Sequence, residues 1–424
     1  MGNITAPLSA KTGEQAKLTG TEAHSEPKLS PAPVTGPIPS NVTMKHPLIP
    51  VPSTNYDALP PTANPKETYA AILLDFFDGI GFSDHRAPDA PPNEACMAPI
   101  RAELQALHET GELPEKHLKT LLAILPHASS FATIPYPVPL PVQIYICKFT
   151  TFFIHVDDRV ASDDLAPDVL TDLSRFPKLM TCTLPEAELE LADPVLKLAA
   201  KLLRTETHKY FSPYQTGVIF KSAIDYLMGC MIEAINCMKT NAGKGVVGEE
   251  YEPRDDTGMG LMIKYTRFLR LKTALSEAFS ALLFPLNVFP DDVTCIPDVV
   301  PIIPMLVDYI DFLNDILSYY KESVVGEEKT YFTQLEKMSG VDKLVLLKQE
   351  CDNQVRAVLG VRRLLEDKED LRKHFDLFFD GYVRWHNNCE RYYLGEVGIG
   401  CFFELEEEAK NRDPTMRVPL TLYR

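Results

Sequence analysis

Apolar residues recur at three- and four-residue spacing along most of the chain beyond residue 66, in segments separated by proline-containing breaks. Tyr69, Ile72, Leu73 and Phe76 fall on one face of an amphipathic helix. The same period returns over residues 100–107, 117–125, 142–156, 195–203, 217–238, 261–283, 307–322, 341–365 and 371–394. Prolines at 135, 137, 139 and 141 punctuate one break, and no series of alternating strands with hairpin turns competes with the helical pattern. The pattern predicts an all-α fold of roughly ten or more helices, forming a single domain over residues 66–424. No internal repeat and no glycine-rich phosphate loop interrupts it.

Residues 1–65 differ in texture, with twelve of the 35 prolines and a single aromatic, Tyr56. Such a segment buries too little to offset its ordering entropy, so a disordered tail is expected. The formal net charge of -17 disfavours nucleic acid and anionic lipid as partners. Nine scattered cysteines without a CxxC pair read as reduced thiols rather than a disulfide framework or zinc site. No apolar run is long enough to span a membrane. A cytoplasmic protein without membrane insertion is therefore expected, binding a small molecule. An anionic one would need metal ions or a local Arg and Lys cluster.

Two segments carry chemistry. The run 142–158 is strongly apolar and ends in Asp157-Asp158, with Phe153 and Phe149 one and two turns below Asp157 on the same helical face. A carboxylate would cap an aromatic stripe, although a plain acidic helix end fits the spacing equally well. In the run 314–322, Asn314, Ser318 and Glu322 form one stripe in steps of four, flanked by Asp315 and Lys321. An amide oxygen, a hydroxyl and a carboxylate so arranged suit Mg²⁺, which prefers oxygen ligands. The alternative is a solvated polar face, against which Ile310 and Val307 extend the same stripe as apolar residues. Two apolar helices that finish in oxygen ligands suggest a bundle enclosing an apolar cavity with metal at its mouth. Such a site suits a hydrocarbon tail with a diphosphate head.

These residues resemble the class I terpenoid synthases, and among them the fungal trichodiene synthase family. Asn314, Ser318 and Glu322 stand in that family's second metal motif, and Asp157-Asp158 stands in its aspartate-rich position. Phe268-Leu-Arg270 resembles the element whose arginine senses diphosphate, 381–386 with Arg391-Tyr392 resembles the terminal segment, and 222–233 resembles a mid-bundle helix. The resemblance spans roughly residues 140–395. It implies a carbon-oxygen lyase, a sesquiterpene cyclase with a class I helical bundle, acting on farnesyl diphosphate with three Mg²⁺ ions. Asp157, with Asp158 in support, and Asn314, Ser318 and Glu322 would hold metal. Arg270, Lys321, Arg391 and Tyr392 would hold the diphosphate, and Tyr382 and Trp385 would join Phe149 and Phe153 in lining the cavity. The family's chemistry implies a bisabolyl-type cation, with longiborneol as one candidate product; a homodimer stays open.

The chain departs from the family pattern where Ala161 replaces the usual third aspartate and Asp163-Asp164 follow later. On an unbroken helix Asp164 lies about 10 Å along the axis from Asp157, too far to share one ion. Thr150 stands where the family has a tyrosine. Two other functions compete with cyclisation. A chain-elongating prenyltransferase would carry a second aspartate-rich motif in place of Asn314, Ser318 and Glu322. A non-catalytic isoprenoid-binding protein would release no diphosphate. If Asn314 and Glu322 are ligands at a cavity mouth, replacing either by alanine should abolish turnover with little loss of folding.

Overall fold

The computed structural model describes residues 64–82, 93–160, 167–181, 191–241, 256–290, 292–326 and 330–399. The expected N-terminal tail and Asp163-Asp164 lie outside these residues. Fourteen α-helices and no strand occur among the described residues. The first three are α1 (Pro65–Ile80), α2 (Glu94–Glu109) and α3 (Glu115–Thr133). Asn64 starts α1 by accepting from the Lys66 amide, and Pro65 follows as a first helical residue that needs no donor. The prolines after residue 134 end α3 and lead into α4 (Leu140–Val160), which is buried on nearly every side. Its neighbours are α2, α3, α6 (Pro194–Tyr210) and α7 (Pro213–Asn241). On the other side of the core, α11 (Ile303–Val325) packs against α13 (Lys343–Leu364) and α14 (Glu369–Asn388). Burying Phe149, Phe153, Phe312 or Leu313 on these helices contributes roughly 1.5–3 kcal/mol each.

Three further helices were not marked by a distinct period: α5 (Pro167–Thr181), α10 (Asp292–Val299) and α12 (Tyr331–Ser339). The continuous pattern over 261–283 divides into α8 (Asp256–Thr273) and α9 (Ser276–Ala281). Leu275 between them has φ 56°, a left-handed conformation that ends the first helix. The freed amide of Ala278 donates to Ser222 Oγ on α7, so a neighbouring helix supplies the cap that α9 lacks locally. Beneath it, Gly229 lets α7 approach closely, since a Cβ there would lie 2.9 Å from Thr273 Cγ2. The 371–394 pattern likewise stops early, at Asn388, and resumes as a 3₁₀ turn over Glu390–Tyr392. Gly381 seats α14 against the α3–α4 connection, where an added Cβ would sit 2.5 Å from Ile134 O and 2.6 Å from Pro135 Cα.

Candidate active site

The stripe on α4 is an aromatic column with a carboxylate at its end. The rings of Phe149 and Phe153 lie 4.5 Å apart between centroids, and Tyr226 of α7 meets Phe153 edge-on at 5.5 Å. The Tyr226 hydroxyl donates towards Asp157 Oδ1 at 3.0 Å and the Phe153 carbonyl at 3.2 Å, so the ring that extends the apolar wall also meets the first carboxylate. Asp158 Oδ1 faces Arg391 Nη2 at 3.8 Å, while Asp158 Oδ2 is buried without a hydrogen-bond partner. Burial pushes the Asp158 carboxyl up to about 6, opposed by Arg391 and Lys321 and reinforced by Asp157. Lys321 of α11 therefore acts electrostatically on the end of α4.

On α11, Ser318 donates to Glu322 Oε1 at 2.5 Å, as the step of four requires. Asn314 is held from both sides. Its Oδ1 accepts from Arg270 Nη2 at 3.3 Å, and its Nδ2 donates to Tyr392 Oη at 3.2 Å and to His386 Nε2 at 3.3 Å. The 3₁₀ turn thus touches both motifs, through Arg391 to α4 and Tyr392 to α11. Arg270 is engaged more deeply than an open anion clamp. It pairs with Asp315 Oδ2 at 2.8 Å and donates to the Asp311 carbonyl at 2.9 Å. Asp315 and Asp311, buried carboxylates on α11, hold the guanidinium in its charged form and offset the cost of burying it.

Below these polar groups the wall continues in Trp385, Tyr382 and Phe131. Phe131 meets Trp385 at 4.9 Å, Tyr382 at 6.1 Å and Phe279 at 5.0 Å, each edge-on, and Phe279 reaches Phe149 at 5.9 Å. Tyr382 commits its hydroxyl to Ile310 O and Trp385 its indole to His127 O, which leaves their ring faces for apolar contact. Thr150 is buried with its hydroxyl unpartnered, seven residues before Asp157 and so on nearly the same helical face. The site residues expected from the sequence lie on α4 and α11, at Arg270 of α8, on the 3₁₀ turn and on the aromatic face of α14.

Four residues of the site were not assigned from the sequence: Tyr226, His386, Asp311 and Asp315. Tyr226 and His386 sit inside segments 222–233 and 381–386, whose pattern was noted, and Asp315 was seen only as a flank of the metal stripe. Their partners are 69, 72 and 45 positions away, for Asp157, Asn314 and Arg270, beyond the reach of helical spacing. Asp311 is fully buried, and burial lifts its carboxyl to about 7 against the pull of Arg270 and Ser276. The folded carboxyl lies above its ordinary 3.8, so the protonated form is favoured and its stability is lost as pH rises towards 7. Asp311→Asn is expected to melt above the wild type at pH 8, with the difference shrinking as pH falls to 5. A difference independent of pH would show that Asp311 is not the titrating group.

The donor set on these two helix faces is all oxygen: Asp157 and Asp158 carboxylates, Asn314 amide, Ser318 hydroxyl and Glu322 carboxylate. A buried Asp158 oxygen without a partner adds unmet negative charge, so these residues fit a hard divalent cation. Residues 138–410 match the family model described as trichodiene synthase. The chain belongs to the trichodiene synthase family. It is a terpene synthase, a carbon-oxygen lyase acting on phosphates. It is 25% identical to an (E)-beta farnesene synthase of Metarhizium brunneum, over 79% of this chain and 91% of the relative. It is 26% identical to a longiborneol synthase of Gibberella zeae, over 77% of this chain and 97% of the relative. A solved linalool/nerolidol synthase from Streptomyces clavuligerus superposes with TM-score 0.48 at 13% identity, covering 71% of this chain and 98% of that one. Among the described residues no helix is long and apolar enough to cross a membrane.

Proposed function

We propose that this terpene synthase is a cytoplasmic sesquiterpene cyclase that ionises farnesyl diphosphate. The observation that carries the proposal is the meeting of two oxygen-bearing helix faces at the Arg391–Tyr392 turn, directly above a continuous aromatic wall. Asp157 and Asp158 on one side, and Asn314, Ser318 and Glu322 on the other, would hold Mg²⁺, three ions by family likeness. Bound there, the metal would neutralise diphosphate charge and favour its departure as a leaving group.

Arg391 and Lys321 supply fixed positive charge beside Asp158, and Tyr392 a hydroxyl beside Asn314, so a diphosphate arriving here meets donors from the 3₁₀ turn and from α11. Phe149, Phe153, Tyr226, Phe131, Tyr382 and Trp385 exclude water and present ring faces that stabilise positive charge on the hydrocarbon. We assign the cation path to the bisabolyl type, with longiborneol, for which one relative is named, as the candidate product.

Incubation of purified protein with farnesyl diphosphate, with and without Mg²⁺, followed by gas chromatography and mass spectrometry, tests this. A cyclic sesquiterpene that requires Mg²⁺ is expected, with equimolar diphosphate released and no isopentenyl diphosphate consumed. Growth of a longer prenyl chain would mean elongation instead. No product from farnesyl, geranyl or geranylgeranyl diphosphate would leave an isoprenoid-binding protein.

A further inference from the structure

The Asn314 amide is caught between groups that permit one orientation. Arg270 Nη2, a donor, faces one end at 3.3 Å. His386 Nε2 and Tyr392 Oη face the other at 3.3 and 3.2 Å. A flipped amide would set its NH₂ against the guanidinium, donor against donor. The tautomer of His386 follows from its second nitrogen. Nδ1 lies 2.8 Å from the Tyr382 carbonyl, which can only accept, so Nδ1 carries the hydrogen. Nε2 facing an NH₂ group must then be a bare acceptor. His386 is fully buried, and its ring is wedged between Trp385 and Tyr392, each 4.6 Å away between centroids.

We infer that His386 is a positioning residue that fixes which end of the Asn314 amide is oxygen: Oδ1 lies on the Arg270 side, and its second lone pair is what this position offers a cation in register with Ser318 and Glu322. The inference rests on the metal-binding role proposed above. The same geometry accounts for asparagine rather than aspartate at 314, since a carboxylate oxygen there would face the His386 lone pair without a hydrogen between them. Spacing identifies a ligand stripe but not this restriction, which comes from α14.

Thermal melting as a function of Mg²⁺ at fixed inorganic pyrophosphate tests the assignment without turnover. His386→Gln can place a carbonyl oxygen where Nε2 was and accept from Asn314. His386→Asn can donate to the Tyr382 carbonyl but does not reach Asn314. His386→Phe does neither. The Mg²⁺ midpoint is expected to rise about tenfold or more for the Asn and Phe variants and to stay within about twofold for Gln, on the usual scale for groups that orient metal ligands. The opposite ranking, with Asn like the wild type and Gln impaired, would show that His386 serves only the Tyr382 carbonyl and would overturn the inference. Should the Phe variant not fold, the Gln and Asn pair decides alone. A wild-type protein whose melting does not respond to Mg²⁺ with pyrophosphate overturns the metal reading itself, and this inference with it.

Discussion

Replacing Asn314 with alanine is expected to lower turnover of farnesyl diphosphate, the proposed substrate, by at least about a hundredfold, because a proposed oxygen ligand disappears where even orienting neighbours are worth 10–100-fold. The structure adds a cost that the stripe on the helix did not imply. Alanine leaves His386 Nε2 and Tyr392 Oη without the donor they share, in a part-buried setting. Each stranded group costs about 1–3 kcal/mol, so a lowered melting temperature accompanies the lost activity. Glu322→Ala should lose comparable activity with less destabilisation, since Glu322 is only half-buried and Ser318, which donates to it, sits on the same helix. Steady-state rates and melting curves of the two variants check this. Retention of near wild-type turnover by either would remove that residue from the metal site.

Arg270→Met is expected to give the largest loss of stability among the site variants. The guanidinium side chain is 16% exposed and Asp315 10%, so the pair is buried rather than screened by solvent. Asp311, beside them, is fully buried. Methionine keeps the bulk but leaves two carboxylates without a counter-charge, which costs about 3–5 kcal/mol when one partner of a buried pair is removed. Burial already raises both carboxyls, with Arg270 opposing it, so its removal raises them further. Raised carboxyl values favour the protonated form, and the deficit is therefore greatest at alkaline pH and relieved on acidification. Melting curves of wild type and variant between pH 5 and pH 8.5 should converge towards the acid end. A variant that melts with the wild type at pH 8 would mean that Asp311 and Asp315 are stabilised by something other than Arg270. Activity should also fall, since Arg270 lies against Asn314.

Much of the helical architecture is legible in the sequence because an amphipathic helix advertises its buried face at intervals of three and four residues. The aromatic column below Asp157 and the ligand stripe from Asn314 to Glu322 were legible for the same reason: each lies on one face of one helix. The divided element at Leu275 was not, because its cap comes from Ser222 on another helix. The short helices α10 and α12 were not, because two turns give too few repeats to mark a period, whereas α5, at fifteen residues, is long enough to carry one and went unread.

The sequence by itself determined the helices, the oxygen character of the candidate ligands and the aromatic content of the wall, all properties of residue type and local spacing. Only the tertiary structure decided that Tyr226 meets Asp157, that two aspartates hold Arg270 and that a histidine acceptor orients Asn314. Those contacts join residues 41–72 positions apart, and hydrogen-bond direction depends on which groups packing brings face to face.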